Sequence, residues 1–76
     1  MNKHTKAILG ALQAGVDSME IDGDDLNDRL NSIMGDVDED KIDQKELRAE
    51  LVKYLSKKAL KTADEMLGMV QQVYNL

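Results

Sequence analysis

The chain reads as an all-α domain, a small bundle of four or five short amphipathic helices. Three observations predict this class. Apolar residues recur at helical spacing in successive segments. The apolar set is Leu, Ile, Val, Ala and five Met, without Phe, Trp or Pro, a mix that favours helix over strand. The length of 76 residues allows one domain spanning 1–76. A domain of this size buries only about 60% of the surface of its unfolded chain. There is no cysteine to reinforce it, and its methionines predict an adaptable core.

The first helix is expected from Asn2 to Ala14, with Ile8, Leu9 and Leu12 as its apolar stripe and Gly15 as its stop. Gly10 weakens its middle by about 1 kcal/mol relative to Ala, and is read as a place where a neighbouring helix can come close. Residues 16–22 form a connector. The second helix starts near Asp22 or Asp24, where early acids suit the positive end of the helix dipole. Its buried positions are Leu26, Leu30, Ile33 and Met34, and Gly35 ends it. The third starts at Asp43, which with Glu46 has capping-box spacing. Leu47, Leu51, Tyr54 and Leu55 form its buried stripe, and Glu46, Glu50, Lys53 and Lys57 its solvated face. Thr62 and Glu65 suggest a second capping box. Residues 43–76 therefore divide into two helices broken near Lys57–Lys61, so that the last can fold back over the others.

Charge is unevenly distributed under a net −5. Residues 17–43 hold eleven of the acids against Arg29 and Lys41, and both flanks are mildly basic. With no strong basic patch and no aromatic stacking platform, nucleic acid is excluded as an expected partner. No apolar run approaches the roughly 18 residues of a membrane-spanning helix. The opening "MNKHTKAILGALQAGV" has a basic start followed by apolar residues, like a secretion signal. Its apolar run breaks early at Gln13, so it reads as a mature amphipathic helix and the chain as cytoplasmic.

One stretch resembles a metal site. In "GDVDEDKIDQKEL", residues 35–47, Asp36, Asp38 and Asp40 fall at the first, third and fifth positions of a calcium-binding EF-hand loop. Lys41 then stands where that loop needs Gly, and Leu47 where it needs a bidentate glutamate. One extra residue after Asp40 would bring Ile42, Asp43 and Glu46 into register. Its absence rotates the following helix by about 100° and shortens its rise by about 1.5 Å, turning Glu46 away from any ion. The expected reading is a solvated acidic turn leading into a helix cap, with a calcium-responsive loop at 36–46 the weaker alternative and no metal or cofactor assigned. His4 has no nearby acid to act with it, and Ser18, Ser32, Ser56, Thr5 and Thr62 lie in no nucleophile motif. No glycine-rich phosphate loop is present, so an enzyme is not expected.

The last helix has more apolar surface than one face can hold. Met66, Leu67, Met69, Val70, Val73 and Tyr74 cannot all point the same way. Such a helix is buried, pairs with another molecule, or meets lipid. Lys53, Lys57, Lys58 and Lys61 precede it, and a basic face beside an apolar one suits anionic membrane surfaces. Pairing of these lysines with the acidic middle explains them equally well.

The opening "MNKHTKAILGALQAG", the turn "GDVDEDKID" and the ending "KKALKTADEMLGMVQQVYNL" together resemble the PAS factor family, small bacterial proteins linked to secretion of periplasmic proteins. The resemblance implies a saposin-like fold, a membrane lipid surface as partner, and the cell envelope or periplasm as location. It carries no catalytic residues. Saposin-like proteins usually rely on disulfides, and this chain has none. The expected function is thus a non-enzymatic, membrane-interacting helical protein that promotes release or secretion of periplasmic proteins. Ile8, Leu9, Leu12, Met66, Leu67, Met69, Val70 and Val73 are its lipid- or partner-facing (or core) set, and Lys53, Lys57, Lys58 and Lys61 its head-group contacts. The alternative is a soluble acidic adaptor that binds a partner protein, or a second copy of itself, through an apolar helix face.

Overall fold

The computed structural model describes residues 1–17, 23–55 and 60–76. Among these described residues are four α-helices, α1 (Lys3–Asp17), α2 (Gly23–Ser32), α3 (Gln44–Leu55) and α4 (Leu60–Tyr74). Two single 3-10 turns, Met34–Asp36 and Glu39–Lys41, lie between α2 and α3. No strand occurs among the described residues. Each of α1 and α4 packs against both α2 and α3, which places α2 and α3 at opposite corners of the bundle. Their connection therefore crosses one end of the molecule. Contacts at the helix ends fix the directions. The start of α1 meets the start of α3, because the Asp43 N–H donates to Thr5 Oγ1. The end of α4 meets the end of α2, because the Tyr74 hydroxyl donates to the Leu30 carbonyl. The far ends of α1 and α3 meet through Tyr54 and Asp17. So α1 and α3 run away from the crossover, and α2 and α4 run toward it.

Asn2 caps α1, its Oδ1 accepting the Thr5 N–H at 2.8 Å. The helix then runs through Gly15 to Asp17, rather than stopping at Ala14. Thr5, Ile8, Leu12 and Gly15 share one buried stripe, and packing there outweighs the weak helix propensity of glycine. Gly10 lies on the solvent side. A Cβ added to it would meet nothing within 4 Å, so it admits no neighbouring helix. The close approach is instead at Gly23, where an added Cβ would sit 3.4 Å from the Met69 methyl.

The second helix ends at Ser32, not Gly35. Ser32 Oγ donates to the Arg29 carbonyl at 2.7 Å and Asn31 Nδ2 to the Asn27 carbonyl at 2.9 Å. Side chains that bond the preceding turn in this way compete with continuation of the helix. Ile33 is left half-buried and Met34 exposed, so the expected stripe loses its last member. Gly35 sits inside the first 3-10 turn without a positive φ. Two further expectations are corrected. Thr62 is the third residue of α4 and not its cap, because Leu60 and Lys61, good helix formers, already belong to the helix. Tyr54 is exposed, its hydroxyl turned to the Asp17 carboxylate instead of the core. At its other end α4 closes with Asn75 in the left-handed region (φ 56°) and the Leu76 N–H donating to the Gln71 carbonyl at 2.9 Å, a Schellman ending.

The helices enclose one core. Ile8, Leu12, Leu26, Leu30, Leu47, Leu51, Met66 and Val70 are almost wholly buried in it. Tyr74 closes one end, its hydroxyl bonding the Leu30 carbonyl at 2.8 Å. That carbonyl is in the last turn of α2 and has no intrahelical donor. On the surface between α3 and α4, Arg48 Nε lies 2.7 Å from Asp64 Oδ1. The hydrogen bond from Arg48 holds the Asp64 carboxyl below its usual range. Both side chains are exposed, which makes the pair a minor contributor.

Two outcomes follow for stability. Gly10→Ala and Gly68→Ala, both in open space within helices, are each expected to stabilise the fold by about 0.5–1 kcal/mol in denaturant melts. Burial raises the Tyr74 pKa above its ordinary value of 10.0. Its contribution is therefore complete below about pH 10 and is lost as pH rises through the higher folded value. Tyr74→Phe is expected to lower stability at neutral pH by about 1 kcal/mol and to flatten the decline above about pH 10, both read from urea melts across pH.

Candidate functional site

The crossover end concentrates the features that the core does not absorb. Residues 33–43 must travel from one corner of the bundle to the opposite corner, yet of this segment only Ile42 is buried. Polar bonds to the start of α1 hold it instead. Asn2 Nδ2 donates to the Lys41 carbonyl at 2.8 Å. The Asp38 N–H donates to His4 Nδ1 at 3.0 Å. The Asp43 N–H donates to the fully buried Thr5 hydroxyl at 2.9 Å. The bond to His4 requires an unprotonated Nδ1, so its proton sits on Nε2. Asp43 also caps α3, accepting the Glu46 N–H at 3.0 Å. This is half of the expected capping box. In the other half Glu46 would accept the Asp43 N–H, and here Thr5 accepts it.

Two aspartates of the calcium-like stretch are used as caps. Asp38 Oδ1 accepts the Asp40 N–H at 3.1 Å and opens the second 3-10 turn. Asp43 opens α3. Among the described residues no group of three or more His, Cys, Asp or Glu side chains comes together in a way that could hold a metal ion. No residue from 36 to 46 has a positive φ, so the sharp glycine turn of a calcium loop is not formed.

A groove of about 360 Å³ lies between the crossover and the end of α4. Met34, Val37, Asp38 and Glu39 line one side, and Val73, Tyr74 and Asn75 the other. Met34 is 39% exposed, and Val37 and Val73 are half-buried, and these three bring apolar atoms to a lining whose exposed surface is otherwise mostly polar. Asp38 and Glu39 form an acidic rim. The carbonyl end of α4 adds partial negative charge to the same mouth.

The residues that the sequence singled out for lipid or a partner are mostly elsewhere. Ile8, Leu9, Leu12, Met66 and Val70 are core, and Leu67, Met69 and Val73 are half-buried against it. Only Val73 of that set reaches the groove. Facing lipid would require the bundle to open. Lys53 is exposed, with its Nζ 3.4 Å from Glu50. Lys57 and Lys58, and the side chain of Lys61, lie outside the described residues. No helix among the described residues is long and apolar enough to cross a membrane. Sequence reasoning missed Met34 and Val37 as surface. For Met34, the pair Asn31-Ser32 was the available sign that α2 would stop early.

No family model, no curated protein and no solved structure matches the chain.

The clamp has a direct test. Thr5→Val keeps the shape of the side chain but leaves the Asp43 N–H without its acceptor. It is expected to cost about 1–3 kcal/mol in denaturant melts and to increase hydrogen exchange at Asp43.

Proposed function

We propose that this chain is a small, non-enzymatic helical binding module that engages a protein partner through the crossover end of its bundle. The groove between residues 34–39 and the end of α4 carries this reading. It joins exposed apolar surface to concave shape, while the other large apolar side chains among the described residues mostly fill the core. Acids at its rim disfavour an anionic bilayer as its target.

A second reading rests on the resemblance to the PAS factor family. In it the bundle opens and lays the faces bearing Ile8, Leu9, Leu12, Met66, Leu67, Met69, Val70 and Val73 into lipid, promoting release of periplasmic proteins. With no cysteine in the chain, no disulfide opposes such opening. Neutralising carboxylates at low pH would favour it by reducing repulsion from the membrane.

Sedimentation and dye release with anionic vesicles, at neutral pH and at about pH 4–5 where carboxylates titrate, separate the two. The binding-module reading expects the protein to stay in solution and the vesicles to stay sealed at both. Sedimentation with the vesicles, accompanied by leakage, would replace it with the lipid reading.

A further inference from the structure

We infer that the groove recognises a short, extended segment of a partner protein in which a bulky aliphatic side chain is flanked by Lys or Arg. This rests on the binding-module reading above and specifies its ligand. The groove is sized for side chains rather than for a whole secondary-structure element. About 360 Å³ accommodates one or two side chains, at the lower end of small-ligand sites. A whole helix, about 10 Å across, would not sit in it. An aliphatic anchor suits the apolar part of a mixed lining, because Met34, Val37 and Val73 leave apolar atoms in contact with water that such a side chain would displace.

Charge selects the flanks. Asp38 and Glu39 stand on one lip, and no cation among the described residues lies within ion-pairing distance of either. Among the described residues the Asp38 carboxylate accepts the backbone N–H of Asp40, and it retains further acceptor capacity. The other lip is the end of α4, where the helix presents its negative pole beside Asn75. A Lys or Arg next to the anchored side chain would meet negative potential from both sides. An acidic neighbour would be repelled. The crossover lip is also pre-positioned, since His4 holds the Asp38 backbone and Asn2 holds that of Lys41. The partner segment would therefore meet a formed surface.

The test uses the full chain, isotopically labelled, titrated with three capped peptides and followed by two-dimensional amide NMR. One peptide carries Leu between Arg and Lys, the second carries Leu between two Glu, and the third carries Gly between Arg and Lys. The first is expected to shift the amides of Val37, Glu39, Val73 and Asn75. It should bind at least about fivefold more tightly than either control and weaken several-fold when salt rises from about 0.05 to 0.5 M. Combining Asp38→Asn with Glu39→Gln should remove most of the preference over the Glu peptide. Asn retains the acceptor for the Asp40 N–H, and an unchanged amide spectrum away from the groove confirms the fold. Met34→Gln should weaken the first peptide about threefold or more, the order expected for one partly buried apolar contact. Equal binding of the basic and acidic Leu peptides at the groove would overturn the charge selection while leaving a binding module standing. Equal binding of the Gly peptide would overturn the aliphatic anchor. Shifts confined to another face, or no shifts at all, would overturn the assignment of the groove. So would groove shifts caused by the chain's own concentration, which would identify a second copy as the occupant. Vesicle binding in the preceding experiment would instead remove the reading on which this one rests.

Discussion

The hydrogen bond from the Asp43 backbone to the Thr5 hydroxyl is the interaction on which the architecture turns. Because α2 and α3 occupy opposite corners, the chain must cross the end of the bundle, and it does so with little apolar anchorage. A crossing that cannot be held by greasy side chains must be held by directed bonds or left loose. Thr5, itself out of contact with water, supplies the inner one and gives the Asp43 N–H an acceptor at the edge of the core. Asn2 and His4 supply outer ones on the same side. Together they fix where α3 begins relative to α1. That in turn sets which residues of α3, Leu47 and Leu51, reach the core.

The acidic middle of the chain acquires a physical account from this geometry. Asp43 stands at the start of α3 and Asp38 beside the start of α1, where negative charge is favoured by the helix poles. Their carboxylates cap short turns and their backbone N–H groups are tied to α1, so these two are committed to structure. Glu39 is not used in that way, and it borders the one groove described. The same segment thus contributes structure through some of its acids and leaves another at a mouth lined by Met34, Val37 and Val73.

The helices were legible in the sequence because each carries a strong apolar period, and helix type is robust to small errors in phase. The ends were less legible. Gly15 and Gly35 were read as stops from local propensity, but a glycine stops a helix only when nothing else favours continuation. Burial carried α1 through Gly15, and Asn31 and Ser32 ended α2 before Gly35 was reached. Tyr54 has an apolar ring at an apolar register, yet its hydroxyl found Asp17 in solvent. The clamp could not be read at all, since Thr5 and Asp43 are joined across 38 positions and neither belongs to a local motif that demands the other. The groove was invisible for a related reason: it is made by two segments that meet only once the crossover is in place. The apolar surplus of α4 was real as composition, but four helices have more interior than one helix considered alone, and most of that surplus went into it.

Both the first residues and the last lie at the crossover end, Asn2 against Lys41 and Asn75 at the edge of the groove. Anything covalently attached to either terminus would be delivered to the same neighbourhood. A tethered peptide would experience the groove at high effective concentration and fold a bimolecular encounter into an intramolecular one. A bulky tag would crowd it. The two tails are therefore unequal to ordinary surface positions as attachment points, and a label meant to be inert is better carried on the opposite pole of the molecule, near Asp17 and Tyr54.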